Sequence, residues 1–172
     1  MAYPNRGRKP TRLREFDYRT PALYHIVMCT HDRSARFGMI ENDAMQVNAA
    51  GAMIVNVWAA IPAHFPAISL DAFVVMPNHV HGIIWIESGE IETSSSLGDV
   101  VKWFKSVTVS RYSQGVHWDK WSPYDSHLWQ RNYYDHIIRD ERDLDRIRLY
   151  IEHNPSTWEN DDLHIPQGAS SH

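Results

Sequence analysis

Two apolar segments joined by a two-residue turn place the strongest constraint on how this chain can fold. Residues 68–76 and 79–86 are rich in Ile, Val, Phe and Trp, a composition typical of β-strands. Pro77-Asn78 between them is a turn signal. The segment 68–86 therefore predicts an antiparallel hairpin.

The remaining apolar patterns predict the elements around this hairpin. Strands are expected over 24–30 and 128–138, and helices over 42–64, 97–112 and 141–154. The first six elements follow the order of the split βαβ, or ferredoxin-like, motif. We predict an α+β fold: an antiparallel sheet (βαββαβ) with helices on one face, plus a C-terminal helix that must find its own place against the sheet.

Composition limits the class of protein. The 172 residues fit one domain, and 43% apolar residues are enough for a core. The sequence has no apolar run as long as the roughly 20 residues that a membrane helix needs. The single cysteine, Cys29, cannot form an internal disulfide. We expect a cytoplasmic protein without a membrane partner.

Charge is distributed unevenly along the chain. Residues 1–37 hold eight basic and three acidic residues, a formal charge of +5, so the other 135 residues carry −9. We predict a basic N-terminal arm over 1–20, a main domain over 21–158 and a polar, loosely held tail over 159–172. The arm could bind nucleic acid through phosphates, or could equally be a solubilising terminus.

Two histidines stand two residues apart at the start of the second hairpin strand. Because side chains alternate along a strand, His79 and His81 share one face, while Val80 points to the opposite layer. Two imidazoles at that spacing can converge on one metal ion. The pattern alone is weak, since such pairs also arise by chance.

The last predicted helix carries a second set of polar groups. Its apolar stripe is flanked by Tyr150 and Asn154, which are four residues apart and therefore neighbours on the helix surface. Tyr150 offers a phenol and Asn154 an amide oxygen. Alternatively, Tyr150 is an ordinary edge residue and Asn154 only ends the helix before Pro155.

The two sets together suggest phosphoryl chemistry. Two imidazoles and an amide oxygen suit Mg²⁺ or Mn²⁺ with open coordination positions better than a closed structural zinc site. A bound divalent cation can polarise a phosphodiester and orient it for in-line attack. Tyrosine has a free pKa near 10, so it needs such help to act as a nucleophile at neutral pH.

These segments resemble a known family. The hairpin FVVMPNHVHGIIWI and the segment that ends in Tyr150-Ile-Glu-His-Asn154-Pro155 are similar to the single-tyrosine HUH transposases, above all the REP-associated tyrosine transposases. The resemblance covers about residues 18–158. It implies a ferredoxin-like catalytic domain in which His79, His81 and Asn154 bind the metal.

The resemblance also implies the reaction. Tyr150 would attack a phosphate in single-stranded DNA, become linked to the 5′-phosphate and leave a free 3′-hydroxyl. The substrates would be imperfect palindromes that form hairpins, and the protein could act as a monomer or a homodimer. Basic side chains that could contact this DNA are Arg12, Arg14, Arg19 and Arg131.

Several alternatives stay open at this point. A nickase could use the same groups without strand transfer. A non-catalytic DNA-binding protein could share the fold, and a metal hydrolase could use bound water. Tyr133 and Tyr134 are rival nucleophiles on opposite faces of a predicted strand, and His153 is a second-choice metal ligand.

Overall fold

A computed structural model describes residues 20–87 and 95–165. Over these ranges the chain forms two β-sheets with helices against the larger one, and a short 3₁₀ helix, Pro155–Asn160, follows the last α-helix. The strands and helices are β1 (Ala22–Cys29), β2 (Gly38–Glu41), β3 (Ala44–Val47), α1 (Ala49–Ala59), α2 (Ile61–His64), β4 (Ile68–Met76), β5 (His79–Ile86), α3 (Leu97–Trp118), β6 (Tyr134–Ile138) and α4 (Glu141–His153).

The main sheet has the strand order β4-β5-β1-β6, and every neighbouring pair is antiparallel. The predicted hairpin over 68–86 is confirmed as β4 and β5, with Met76 paired to His79 across the turn. β1 lies between β5 and β6, which explains why its residues are mostly buried. Together with the helices, this arrangement confirms the predicted α+β, ferredoxin-like fold.

The two faces of the sheet are covered by different helices. α1 and α3 pack on one face over the main core, which includes Ile26, Val80 and Ile84. α4 packs on the other face over a smaller cluster of Ile83, Ile138, Ile147 and Ile151. The period-two alternation of β5 thus sends Val80 into the main core and leaves His79 and His81 on the α4 face.

A β-bulge in β4 turns two residues toward α4. The register against β5 shifts between Leu70 and Phe73, although both residues pack against the main core. Asp71 and Ala72 together lie opposite the single residue Ile83, so β4 has one extra residue at the bulge. Ala72 packs in the α4 cluster, and the Asp71 carboxylate accepts hydrogen bonds from Arg148 of α4 at 2.6 and 2.8 Å.

The helix predicted over 42–64 begins later than expected. Asn42 and Asp43 both adopt positive φ angles, 50° and 61°, and form the turn of a small hairpin between β2 and β3. Asn and Asp tolerate this left-handed conformation better than most residues. The helix starts after Asn48, whose side chain accepts a hydrogen bond from the Gly51 amide. The apolar residues in this segment are spaced three and four apart, which wrongly indicated that the helix began at residue 42.

Two other boundaries also differ from the predictions. α3 continues past residue 112 to Trp118, because Gly115 lets the Trp121 ring pack directly against the helix. The strand predicted over 128–138 is regular only from Tyr134. Its first part makes a single bridge, Thr30 to Trp129, before the Gln130 carbonyl turns to accept a hydrogen bond from Lys105 at 2.8 Å.

Candidate active site

The two histidines of β5 meet on the face of the sheet that α4 covers. Both are buried, and their Nε2 atoms lie 2.9 Å apart. Strand alternation places both side chains on one face of the sheet. The register with the antiparallel partner β1, through the pairs Cys29–His79 and Val27–His81, sets their position along the sheet. The predicted convergence of the two imidazoles is thus present in the structure.

The turn residue Asn78 orients the first imidazole. Its Nδ2 donates hydrogen bonds to the carbonyls of Arg33 and Leu163, at 3.0 and 2.8 Å, so its Oδ1 is left as an acceptor. His79 Nδ1 lies 2.7 Å from that oxygen and must carry the proton. The neutral ring then presents the lone pair of Nε2 to His81, the tautomer that a metal ligand requires.

A third histidine, His25, contacts His81 on the side of its ring that faces away from His79. His25, on β1, places Nε2 3.2 Å from His81 Nδ1, and the two rings are stacked with centroids 5.4 Å apart. If His81 Nδ1 carries its proton, it donates to His25 and leaves Nε2 free for a metal. The sequence pattern does not single out His25 as a site residue. The ferredoxin-like order could have indicated it, because β1 lies beside β5 in that order.

Burial keeps these imidazoles neutral. Loss of hydration lowers the pKa of His79 to about 3, an effect that the Asn154 amide partly offsets. The pKa of His81 falls well below its ordinary value, first through burial and then through the neighbouring histidines. Burial and the charges of His136 and Arg146 lower the pKa of His25 to about 3. Neutral imidazoles are the form that binds metal.

α4 brings the tyrosine to this group. The Asp140 side chain caps the helix by accepting a hydrogen bond from the Asp143 amide, as the sequence predicts. Ile147 and Ile151 are buried against the sheet, and Tyr150 lies beside them, half-buried. Its ring centroid is 5.3 Å from that of His81, with the rings nearly perpendicular. The phenol therefore stands next to the paired histidines.

Asn154 ends α4 beside the same histidines. The residue is only 1% exposed, and its Oδ1 has no hydrogen-bond partner among the described residues. Its amide is close enough to perturb the pKa of both His79 and Asp161. An unpaired buried carbonyl oxygen is costly. A cation between Asn154 and the imidazoles would remove that cost, so the residue fits a ligand role.

One acidic residue of the site lies in the segment predicted to be a loose polar tail. The carboxylate of Asp161 is 7% exposed, and its Oδ2 is 3.9 Å from His79 Nε2. The candidate ligand atoms of His79, His81 and Asp161 all lie within 4.8 Å of one another. No local pattern around Asp161 could have revealed this, because the turn after Pro155 decides where it points.

The donor set suits a hard divalent cation. Two ligands at right angles on an octahedral ion with bonds of about 2.1 Å are about 3 Å apart, close to the 2.9 Å between His79 and His81 Nε2. The amide oxygen of Asn154 and the carboxylate of Asp161 add oxygen donors. Such a mixed set fits Mg²⁺ or Mn²⁺ with positions left for a substrate oxygen.

The rival side chains lie elsewhere or further away. Tyr133 packs against the main core, with Lys105 Nζ 5.7 Å from its ring centroid. Tyr134 is on the α4 face, with its ring centroid 6.2 Å from that of His25. His153 is exposed, and its Nδ1 bonds the Leu149 carbonyl at 2.8 Å. Tyr150 is thus the tyrosine whose ring contacts one of the paired histidines, edge to face.

The predicted DNA contacts are only partly visible. Arg131 is exposed in the loop before β6, and the described contacts do not bring its side chain to the paired histidines. Arg12, Arg14 and Arg19, with nearly all of the basic arm, lie outside the described residues. Their contact with DNA, like the division into arm, domain and tail, stays a prediction.

Comparison with known proteins places a chain with this fold and site among the DNA transposases. A family model described as "Transposase IS200 like" matches residues 19–154. The chain belongs to this IS200-like transposase family, which confirms the resemblance seen in the sequence. An uncharacterised protein of Haemophilus influenzae is 35% identical over 175 residues, covering 92% of this chain and 93% of its own.

Two solved structures share the fold at low sequence identity. A REP-associated tyrosine transposase bound to a REP hairpin has a TM-score of 0.55 and 20% identity, over 86% of this chain and 74% of its own. A protein assigned as a transposase from Deinococcus radiodurans R1 has a TM-score of 0.50 and 21% identity, over 83% and 95%. Within the described part of this chain, no helix combines the length and hydropathy of a membrane span.

Proposed function

We propose that this protein cleaves single-stranded DNA and transfers the cut strand, through a covalent link between Tyr150 and a 5′-phosphate. The observation that carries the proposal is the meeting of Tyr150 with a buried, neutral pair of histidines, at 5.3 Å between the rings of Tyr150 and His81. Membership of the transposase family makes DNA the expected substrate.

His79, His81 and Asn154 would hold the divalent cation, either Mg²⁺ or Mn²⁺. When bound, this ion supplies Lewis acidity to a phosphodiester oxygen and neutralises charge that develops on the phosphate. The burial of both imidazoles supports this role, because neutral histidines neither repel a cation nor need to lose a proton before they bind it.

Tyr150 would carry out the covalent step. Its phenolic oxygen forms a bond to phosphorus as its proton leaves to solvent, and the bond from phosphorus to the 3′-oxygen breaks. That oxygen takes up a proton and leaves as a free hydroxyl. The phosphotyrosine keeps the energy of the phosphodiester, so a second 3′-hydroxyl can attack it and regenerate the tyrosine. Cleavage and rejoining thus need no external energy source.

Hairpin-forming DNA is the substrate that we propose. One structural neighbour binds a REP hairpin, and the basic arm could bind the stem of such a hairpin through its phosphates. The arm includes Arg12, Arg14 and Arg19. Arg131 is exposed and could add a further phosphate contact. We further propose that the protein works in the cytoplasm, as a monomer or a homodimer.

A covalent-adduct assay tests the nucleophile. End-labelled single-stranded hairpins from the flanks of the gene are incubated with Mn²⁺ or Mg²⁺ and separated on a denaturing protein gel. We expect a labelled adduct with the wild-type protein and with Tyr134→Phe, the matched control on the same face. Tyr150→Phe should lose the adduct by at least about 1,000-fold while it still binds DNA.

The other outcomes identify the alternatives. Binding without any adduct, on several flanking hairpins and with both metals, would support a non-catalytic DNA-binding protein. Cleavage that survives Tyr150→Phe without an adduct would indicate metal-bound water as nucleophile, as in a metal hydrolase. Adduct formation without rejoined products would indicate a nickase instead of a strand transferase.

A further inference from the structure

The chain after the tyrosine helix turns back across the paired histidines. The 3₁₀ helix Pro155–Asn160 carries Trp158, whose ring centroid lies 5.8 Å from that of His79. Further on, the Leu163 carbonyl accepts a hydrogen bond from Asn78 Nδ2 at 2.8 Å. We call residues 155–163 the strap. It is held against the site by contacts before and after Asp161.

The strap presents one oxygen of Asp161 to the histidines. The Leu163 amide donates to Asp161 Oδ1 at 2.7 Å, which satisfies that oxygen within the strap itself. The other oxygen, Oδ2, lies 3.9 Å from His79 Nε2. Two ligands of one cation with bonds of about 2.1 Å can be at most about 4.2 Å apart, so His79 Nε2 and Asp161 Oδ2 lie within the span of a single ion.

The balance of charge in the site also supports a position for Asp161 next to the metal ion. A histidine binds a metal as the neutral imidazole and an amide oxygen carries no charge, so a divalent cation held by His79, His81 and Asn154 alone would keep its full charge in a buried place. A buried charge without a partner is costly. Asp161 is itself a buried carboxylate, and no Lys or Arg within the described ranges forms an ion pair with it. A divalent cation would neutralise this carboxylate, and the carboxylate would offset half of the charge of the cation.

We propose that Asp161 is a fourth protein ligand of the metal, so that metal binding fixes the strap over the site. The inference rests on the metal site of the proposed function and adds a carboxylate to it. A six-coordinate ion with four protein ligands still has two positions for a phosphate oxygen and water. The strap then links metal occupancy to the position of the end of the tyrosine helix.

Mn²⁺ binding to the metal-free protein tests this assignment without any measurement of activity. The affinity is measured by isothermal titration and by the electron paramagnetic resonance of free Mn²⁺. We expect Asp161→Asn, which keeps the shape of the side chain, to weaken binding by about 10- to 100-fold, a loss typical when a group that supports a metal is removed. The exposed neighbour Asp162 gives the matched control, and Asp162→Asn should change the affinity by less than about twofold.

A parallel titration of His79→Ala separates this inference from the proposed function. If His79→Ala loses Mn²⁺ binding and Asp161→Asn binds like the wild type, Asp161 is not a ligand and the metal site stands without it. If His79→Ala also binds like the wild type, the metal site itself is wrongly placed.

Hydrogen exchange on the wild-type protein gives a second measurement that needs no variant. Added Mg²⁺ should slow the exchange of the strap amides, over residues 157–163, by about tenfold or more, because the ion holds the strap through Asp161. Equal exchange with and without Mg²⁺, at a concentration that saturates the site, would overturn the proposal even if Asp161→Asn failed to fold.

Discussion

The ring of Tyr150 meets the ring of His81 edge to face, at 5.3 Å between centroids, within one chain. Several contacts of the same chain hold the tyrosine helix there. Ile147 and Ile151 are buried against the sheet, and Arg148 forms an ion pair with Asp71 of β4 at 2.6 Å. The structure thus places the tyrosine beside the histidines of its own chain.

Mixed preparations test whether this arrangement is the active one. Tyr150→Phe keeps the histidines, and His79→Ala keeps the tyrosine, so either variant alone should form no covalent adduct with hairpin DNA. Because the structure pairs both groups within one chain, an equimolar mixture should also give less than about 1% of the wild-type adduct. Substantial recovery in the mixture would show that the helix is exchanged in a homodimer.

The unpaired amide oxygen of Asn154 gives the next prediction. Asn154→Ala removes an amide oxygen that has no hydrogen-bond partner among the described residues, so it should weaken Mn²⁺ binding by about 10- to 100-fold. Measured without metal, the free energy of unfolding should change by less than the free energy of Mn²⁺ binding does. Asn160 is exposed on the following 3₁₀ helix, and Asn160→Ala is the control that should bind as the wild type does. Equal affinities for the two variants would remove Asn154 from the site.

His25 should act through His81. Its Nε2 is 3.2 Å from His81 Nδ1 and can accept the proton that fixes the metal-binding tautomer of that ring. His25→Phe leaves His81 Nδ1 without this acceptor and should weaken Mn²⁺ binding by about tenfold. His25→Gln, which keeps an acceptor oxygen, should restore part of the affinity. A purely steric role for His25 would instead make Phe the better replacement of the two.

Local patterns predict which residues of the candidate site lie together on one strand or helix. Alternation along β5 placed His79 and His81 together, and the four-residue spacing on α4 did the same for Tyr150 and Asn154, because both patterns repeat with the geometry of a single element. Neither pattern predicts that β5 and α4 lie close together. That prediction came from the family resemblance and from the order of the strands in the sheet.

The sequence patterns gave no indication of contacts between distant segments. Asp161 lies in a polar stretch that resembles a tail, yet the turn at Pro155 and the bond from Asn78 to Leu163 bring it to the histidines. His25 belongs to the site only because β1 and β5 are paired. The turn at 42–43 was missed because the apolar spacing was given more weight than two local signals, the Asn42-Asp43 turn and the Asn48 helix cap.

The buried histidines should make the metal-free protein sensitive to mild acid. Burial lowers the pKa of His25 and of His79 to about 3 and that of His81 well below its ordinary value, whereas each is near 6.5 in the unfolded chain. Between pH 6.5 and 3 the unfolded chain therefore binds more protons than the folded one. The stability is fully present above pH 6.5 and is lost as the pH falls below it.

Urea unfolding in the presence of a chelator, at several values between pH 7.5 and 5, measures this loss. Each imidazole can contribute up to about 1.4 kcal/mol of unfolding free energy per pH unit below 6.5. His25→Gln should reduce the slope, and substitution of the exposed His153 by Gln should leave it unchanged. A stability that stays constant from pH 7.5 to 5 would show that the three rings are hydrated or already charged in the folded protein.

The ion pair between Asp71 and Arg148 should control how firmly the tyrosine helix is held. The β4 bulge turns Asp71 toward α4, and Arg148 donates to both of its carboxylate oxygens, from Nε and from one terminal nitrogen. Reversal of one charge, as in Asp71→Arg or Arg148→Asp, places like charges together at this contact. The amides of α4 should then exchange hydrogen faster, and adduct formation should slow several-fold while Mn²⁺ binding to the histidines changes less.

The double swap, with Asp71→Arg and Arg148→Asp in one chain, restores opposite charges. It should therefore recover most of the protection of the α4 amides and most of the rate of adduct formation. If the double swap is as impaired as the worse single variant, the helix is held by its apolar contacts and the ion pair has no part in positioning Tyr150.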